Sequence, residues 1–138
     1  MAHPLQAARR DPFNSMAGQL SKILDDMVGR TYVQWSDRQT WTPAINEYEA
    51  SCGYGVCVEL AGMRPEQIEV LVDKRRLVIR GHRAIPGPDS LPEHTIQSME
   101  IAHGEFCRVV SLPADVDVDR VESRYRDGLL WICLPRRR

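Results

Sequence analysis

The sequence predicts an all-β, immunoglobulin-like β-sandwich carrying a helical amino-terminal arm. Three observations lead there. Between residues 41 and 135, short apolar segments alternate with polar residues and are separated by proline- and glycine-bearing turns at intervals that suit a sandwich. Asp127-Gly128 sits between two such segments as a hairpin signal. Ahead of them, residues 12–28 change to a helical period: Phe13, Met16, Ala17, Leu20, Ile23, Leu24, Met27 and Val28 fall on one face. The chain of 138 residues is long enough for one domain plus an arm.

Residues 1–10 read as disordered. Over 12–28, Asp11 can cap the helix start, Pro12 suits the first helical position and Gly29 can end the last turn. Residues 30–40 have no clear period and read as a flexible remainder of the arm, which spans 1–40. The sandwich then opens with 43–50, a strand that begins at Pro43 and therefore suits an edge. In 53–62, Tyr54, Val56, Val58 and Leu60 share a face; in 68–73, Ile68, Val70 and Val72 do. Lys74-Arg75 connects that strand to 76–83, although the turn has no glycine. Residues 84–93 hold three prolines and a glycine and form a long loop. Residues 94–101 are a further candidate strand, followed by 105–113. Residues 114–128 start as a turn and become a strand with Val121, Ser123 and Tyr125 on one side. The last, 129–135, is expected to be a buried strand closed by Pro135, leaving 136–138 as a short basic tip.

Composition excludes several classes of function. The formal net charge of −1 gives no pull toward nucleic acid or anionic lipid, and Arg136, Arg137 and Arg138 read as a solvated end. No apolar run reaches the ~20 residues needed to cross a bilayer, so no stable membrane insertion is expected. The first residues lack the apolar core of an export signal, which points to the cytoplasm. Cys52, Cys57, Cys107 and Cys133 are then reduced thiols, with Cys57 and Cys133 acting as small hydrophobes inside strands. The Cys52–Cys57 spacing is loose for a zinc site and no second close pair follows, so no metal is expected. No nucleophile elbow or glycine-rich phosphate loop occurs, and no cofactor is implied. Asp115, Asp117 and Asp119 lack the glycine and terminal glutamate of a calcium loop and read as a solvated turn. His82, His94 and His103 are scattered and read as surface residues. The chain is not expected to be an enzyme.

Residues 41–135 resemble the α-crystallin domain of small heat shock proteins, especially bacterial ones. "WTPAINEYE" (41–49) is similar to the family's opening, and "VELAGMRPEQIEV" (58–70) to its strand, A-G turn, proline turn and strand. "LVIRGHR" (77–83) and "GEFCRVVSLP" (104–113) match the next blocks, placing Phe106 and Arg108 in the F-x-R stretch. "SRYRDGLLWICLP" (123–135) resembles the closing A-x-x-x-n-G-V-L signature, with Ser123 for the alanine and Leu129 for the valine.

The resemblance implies an ATP-independent holdase that binds unfolding client proteins. It also implies a homodimer in which 94–101 pairs with the 43–49 strand of a partner, which makes Ile45, Tyr48, Ile96, Met99, Glu100, Ile101 and Arg108 its interface. Arg108 interrupts the apolar face of Phe106, Val110 and Leu112, and a buried arginine needs a carboxylate; Glu100 of the neighbouring chain is the expected one. The family's groove between 68–73 and 121–126, lined here by Val70, Val72, Val121 and Ser123, takes an I-x-I segment from another subunit's tail. Here the sequence stops at Arg138, so either that tail is truncated or the protein assembles differently, and the groove has no evident tail of its own. Large tail-linked cages are therefore not expected; a dimer or modest oligomer is. The arm's stripe (Phe13, Met16, Leu20, Ile23, Leu24, Met27, Val28) is read as contacting clients, other subunits, or both, because each large apolar side chain left wet forgoes ~1.5–3 kcal/mol. The alternative is a p23-like adaptor or structural sandwich that docks on one defined protein.

Overall fold

Hairpins form where the sequence supplies residues tolerant of left-handed backbone. Asp127 (φ 53°) and Gly128 (φ 79°) join two strands in the expected tight turn. At the glycine-free connection, Lys74 takes φ 55° itself. The computed structural model describes residues 3–6, 8–9 and 40–138. Its strands are β1 (His3–Gln6), β2 (Ala8–Arg9), β3 (Thr40–Trp41), β4 (Ile45–Ala50), β5 (Gly53–Glu59), β6 (Ile68–Asp73), β7 (Arg76–Arg83), β8 (Gly104–Ser111), β9 (Glu122–Arg126) and β10 (Leu129–Pro135). They make two five-stranded sheets, one in the order β1-β9-β10-β5-β4 and the other β2-β6-β7-β8-β3.

The core lies between the sheets and is built by strand alternation. Val58 and Val56 lie opposite Leu130 and Ile132 in the β5–β10 register, Leu60 and Leu134 join the same cluster, and Val70, Val72, Leu77, Ile79, Phe106 and Val110 come from the second sheet. Tyr125 belongs to this core and fixes the Ala61-Gly62 turn: its hydroxyl donates to the Leu60 carbonyl at 2.6 Å and accepts from the Met63 N–H at 3.3 Å. A buried phenol of this kind stays satisfied only if the turn keeps its shape.

The structure departs from the sequence reading in four places. His3–Gln6 and Ala8–Arg9 are strands, where 1–10 were expected to be disordered; β9 and β6 each leave an edge of backbone groups that they pair with. Residues 94–101 are not a strand, since their backbone meets no neighbouring edge among the described residues and an isolated strand has nothing to hold it. The last strand is buried on one side only. Leu130, Ile132 and Leu134 point inward, so Trp131 and Cys133 come out on the exposed face, and Cys133 is not a core residue. The basic tip is not simply solvated, because Arg136 is folded into an ion-pair cluster. The arm helix over 12–28, with Phe13, Met16, Leu20, Ile23, Leu24, Met27 and Val28, and residues 30–39 lie outside the described residues.

Candidate functional site

β4 is the terminal strand of the first sheet, so one of its edges offers backbone groups with no neighbouring strand among the described residues. Its side chains do not form that edge. Ile45 packs against the core, and Tyr48 stacks on Trp131 on the outer face with ring centroids 5.9 Å apart. What β4 can give a partner is therefore a hydrogen-bond ladder rather than an apolar patch. The apolar material lies elsewhere. Ile96, Met99 and Ile101 are 58%, 44% and 60% exposed on the segment between β7 and β8, together with Glu100.

Arg83, which the sequence reading did not single out, holds the base of that segment. It is buried, and its Nε and Nη2 donate to the Ala102 carbonyl at 2.9 and 2.6 Å. Its Nη1 donates to the Ala61 carbonyl at 3.2 Å and stands 3.8 Å from Glu59. The guanidinium lies 3.9 Å above the Trp41 ring, and the indole N–H of Trp41 donates to the Gly104 carbonyl at 2.9 Å. The two ends of the loop are thus tied to each other and to the sandwich, while the apolar middle projects. The signal was present in the sequence: position 83 continues the inward parity of Leu77 and Ile79, where a charge must have a purpose.

Arg108 also sits on the inward side, between Phe106 and Val110, and is half-buried. Its Nη1 donates to the Pro43 carbonyl at 3.4 Å, and no carboxylate pairs with it among the described residues. The carbonyl partner is weaker than the carboxylate the sequence reading asked for, and Glu100 of the same chain does not supply one.

Val70, Val72 and Ser123 are buried and Val121 is half-buried at the seam between the sheets. The groove they line is already filled by this chain. β1 lies antiparallel on β9 with Leu5 opposite Ser123, the Ser123 hydroxyl donates to the Leu5 carbonyl, and Leu5 packs against the core. Two residues later β2 runs parallel to β6 at Leu71 and Val72. The occupant is this chain's own amino-terminal strand, a role that the sequence reading gave to a carboxy-terminal tail it did not find. Leu5→Asp places a charge in this seam and is expected to cost about 2 kcal/mol. The check is hydrogen exchange, which should rise along β9 and β6 and stay unchanged in β5.

The carboxy terminus is secured by a polar cluster. Arg136 bonds Asp115 at 2.7 Å and Glu49 at 2.8 Å and lies over the Tyr54 ring, while the Tyr54 hydroxyl donates to Asp115 at 2.9 Å. The Tyr54 hydrogen bond, with help from Arg136, holds the Asp115 carboxyl below its ordinary value. The bond to Glu49 raises Arg136 further. Desolvation, then the Asp115 hydrogen bond, raises the Tyr54 phenol. A depressed carboxyl stabilises the fold above its unfolded pKa, and that contribution is lost as pH falls through the folded one. Acidification below the usual carboxylate range is therefore expected to free Arg136 first. Amide exchange at Arg136 and Arg137, which donate to the Cys52 and Asp115 carbonyls, should accelerate before the core opens.

Among the described residues no group of three or more histidine, cysteine or acidic side chains gathers, and no helix is long and apolar enough to cross a membrane. A sheet edge unpaired among the described residues, a projecting apolar segment and a seam that receives a strand are features suited to binding other polypeptides, as chaperones do. The chain belongs to the Hsp20/alpha crystallin family, whose model matches residues 46–138. It is 32% identical over 95 residues to heat shock protein 16 of Schizosaccharomyces pombe, covering 69% of this chain and 66% of that protein. It is 27% identical over 121 residues to small heat shock protein C2 of Rickettsia felis, covering 86% and 77%. A crystal structure of a small heat-shock protein from Xylella fastidiosa superposes with a TM-score of 0.64 at 32% identity, over 71% of this chain and 88% of that one. The protein is accordingly an ATP-independent chaperone and not an enzyme, and nothing in these likenesses favours a p23-like adaptor.

Proposed function

We propose that the chain works as a strand-exchanged homodimer that holds partly unfolded proteins on the apolar stripe of residues 12–28. The observation that carries the exchange is the pairing of two parts that are incomplete among the described residues: a β4 edge without a neighbour and a tethered, exposed 94–101 segment without an edge. A partner's 94–101 completes β4 by main-chain bonds and covers Ile96, Met99 and Ile101. In the same dimer, Glu100 of one protomer meets Arg108 of the other and replaces the long bond to Pro43. The stripe supports the holding role because its leucines, isoleucine and methionines adapt to many apolar partners.

The test is an aggregation assay without nucleotide on two unrelated heat-labile proteins. The wild-type chain is expected to suppress aggregation of both. The triple variant Leu20→Asp, Ile23→Asp, Leu24→Asp should lose that suppression while keeping its dimer mass. Full suppression by the variant would remove client binding from the stripe. Failure on both proteins, with tight binding to a single defined one, would favour the adaptor reading instead. Changing side chains is preferable to removing residues 1–40, since β1, β2 and Thr40 of β3 belong to the sandwich.

A further inference from the structure

The outer face of the second sheet carries an apolar row. Leu71, Val78 and Val109 stand side by side on β6, β7 and β8, with Cys107 one position along β8. These residues form a cluster separate from the core between the sheets. On either side of the row lie ion pairs, Arg80–Glu69 at 2.5 Å and Arg76–Asp73 at 3.2 Å. No described strand is stacked on this face, yet Leu71 is 1% exposed and Val78 0%. Aliphatic side chains on an open sheet face stay partly wet, so the row has the burial of a covered surface.

The ends of the intervening chain say what can cover it. β2 places Ala8 beside Leu71 at one edge of this sheet, and β3 places Thr40 beside Glu105 at the opposite edge. Residues 10–39 therefore leave from one margin of the sheet and return at the other. Five strands put those margins about 19 Å apart. A helix over 12–28 would be about 25 Å long, enough to span the face, with residues 29–39 left to descend to β3. The sequence of 12–28 has an apolar stripe at helical spacing, and the face has an apolar row between charged rails.

We propose that the outer row Leu71–Val78–Val109 is the seat of the apolar stripe of residues 12–28 of the same chain. This deepens the client-binding reading and rests on the same amphipathic helix. The surface offered to clients is stored on its own sandwich, where stripe and row hide each other from water. A second protomer's stripe is the rival occupant.

Cross-linking decides between them without reference to chaperone activity. A photoreactive phenylalanine analogue is placed in the full-length protein at Val109 and, separately, at the exposed rim position Ser111. A third variant carries it at Trp131, on the outer face of the other sheet. Light and heavy isotope-labelled protomers are mixed before irradiation, so that mass spectrometry separates links within a chain from links between chains. The expected result is an intrachain link from 109 and 111 into 12–28, absent from 131. Links into 12–28 of the other protomer, links of equal yield from 131, or no link into 12–28 would each overturn the proposal. Ser111 lies outside the packed row, so its result stands even if the Val109 variant folds poorly. Loss of aggregation suppression in the stripe variant with the intrachain link intact in the parent would leave both readings standing. An intact link with undiminished suppression would sink client binding alone.

Discussion

Replacing Ile96, Met99 and Ile101 together by aspartate is expected to convert the dimer to monomer at micromolar concentration. The three side chains are about half exposed in the single chain, so covering them contributes about 1 kcal/mol each. Their joint loss is worth about 3 kcal/mol, or on the order of a hundredfold in the dissociation constant. Sedimentation equilibrium measures that shift. The melting temperature of the monomer should barely move, because none of the three packs in the core. A dimer of unchanged affinity would show that subunits meet through another surface and would leave β4 without its proposed neighbour.

Arg83→Met should have the second large effect, on stability and assembly together. The substitution keeps most of the aliphatic volume but strips donors from the Ala102 and Ala61 carbonyls and removes the cation over Trp41. Loss of the charged donor to these part-buried carbonyls, together with the stacking contact, costs about 3 kcal/mol. In a domain of about 100 residues that corresponds to a fall of roughly 12–20 °C in Tm, measurable by calorimetry. Because Arg83 ties the base of the 94–101 segment, the affinity of the proposed dimer should fall as well, even though the apolar residues of that segment are intact. Arg83→Lys should not rescue it, since an ammonium cannot reach two carbonyls and lie flat on an indole.

The core was legible because alternation is a local property. Val56, Val58 and Leu60, or Leu130, Ile132 and Leu134, announce their inward face wherever the strands end up. The turn at Asp127-Gly128 was legible for a similar reason, since its chemistry is confined to adjacent residues. What could not be read was any pairing that spans the chain. His3–Gln6 has little intrinsic strand character and becomes a strand only because β9 presents an edge to it. Residues 94–101 fail in the opposite sense, having strand character but no edge among the described residues. Arg83 was passed over although its parity with Leu77 and Ile79 marks an inward charge, because nothing in the sequence singles out the main-chain carbonyls that accept from it. Tyr48 was assigned to the interface by resemblance, and its stacking on Trp131 within the chain is a contact that alternation alone does not reveal.

The pairing of Leu5 with Ser123 joins residues 118 positions apart. On a ribosome β1 emerges well before the strand it pairs with, because β9 is synthesised more than a hundred residues later. Throughout that interval β1 is an unmated ribbon, and closing so long a loop is slow compared with zipping a hairpin. Newly made chains should therefore trade amino-terminal ribbons most readily at high rates of synthesis, when one polypeptide's finished sandwich meets another's waiting end.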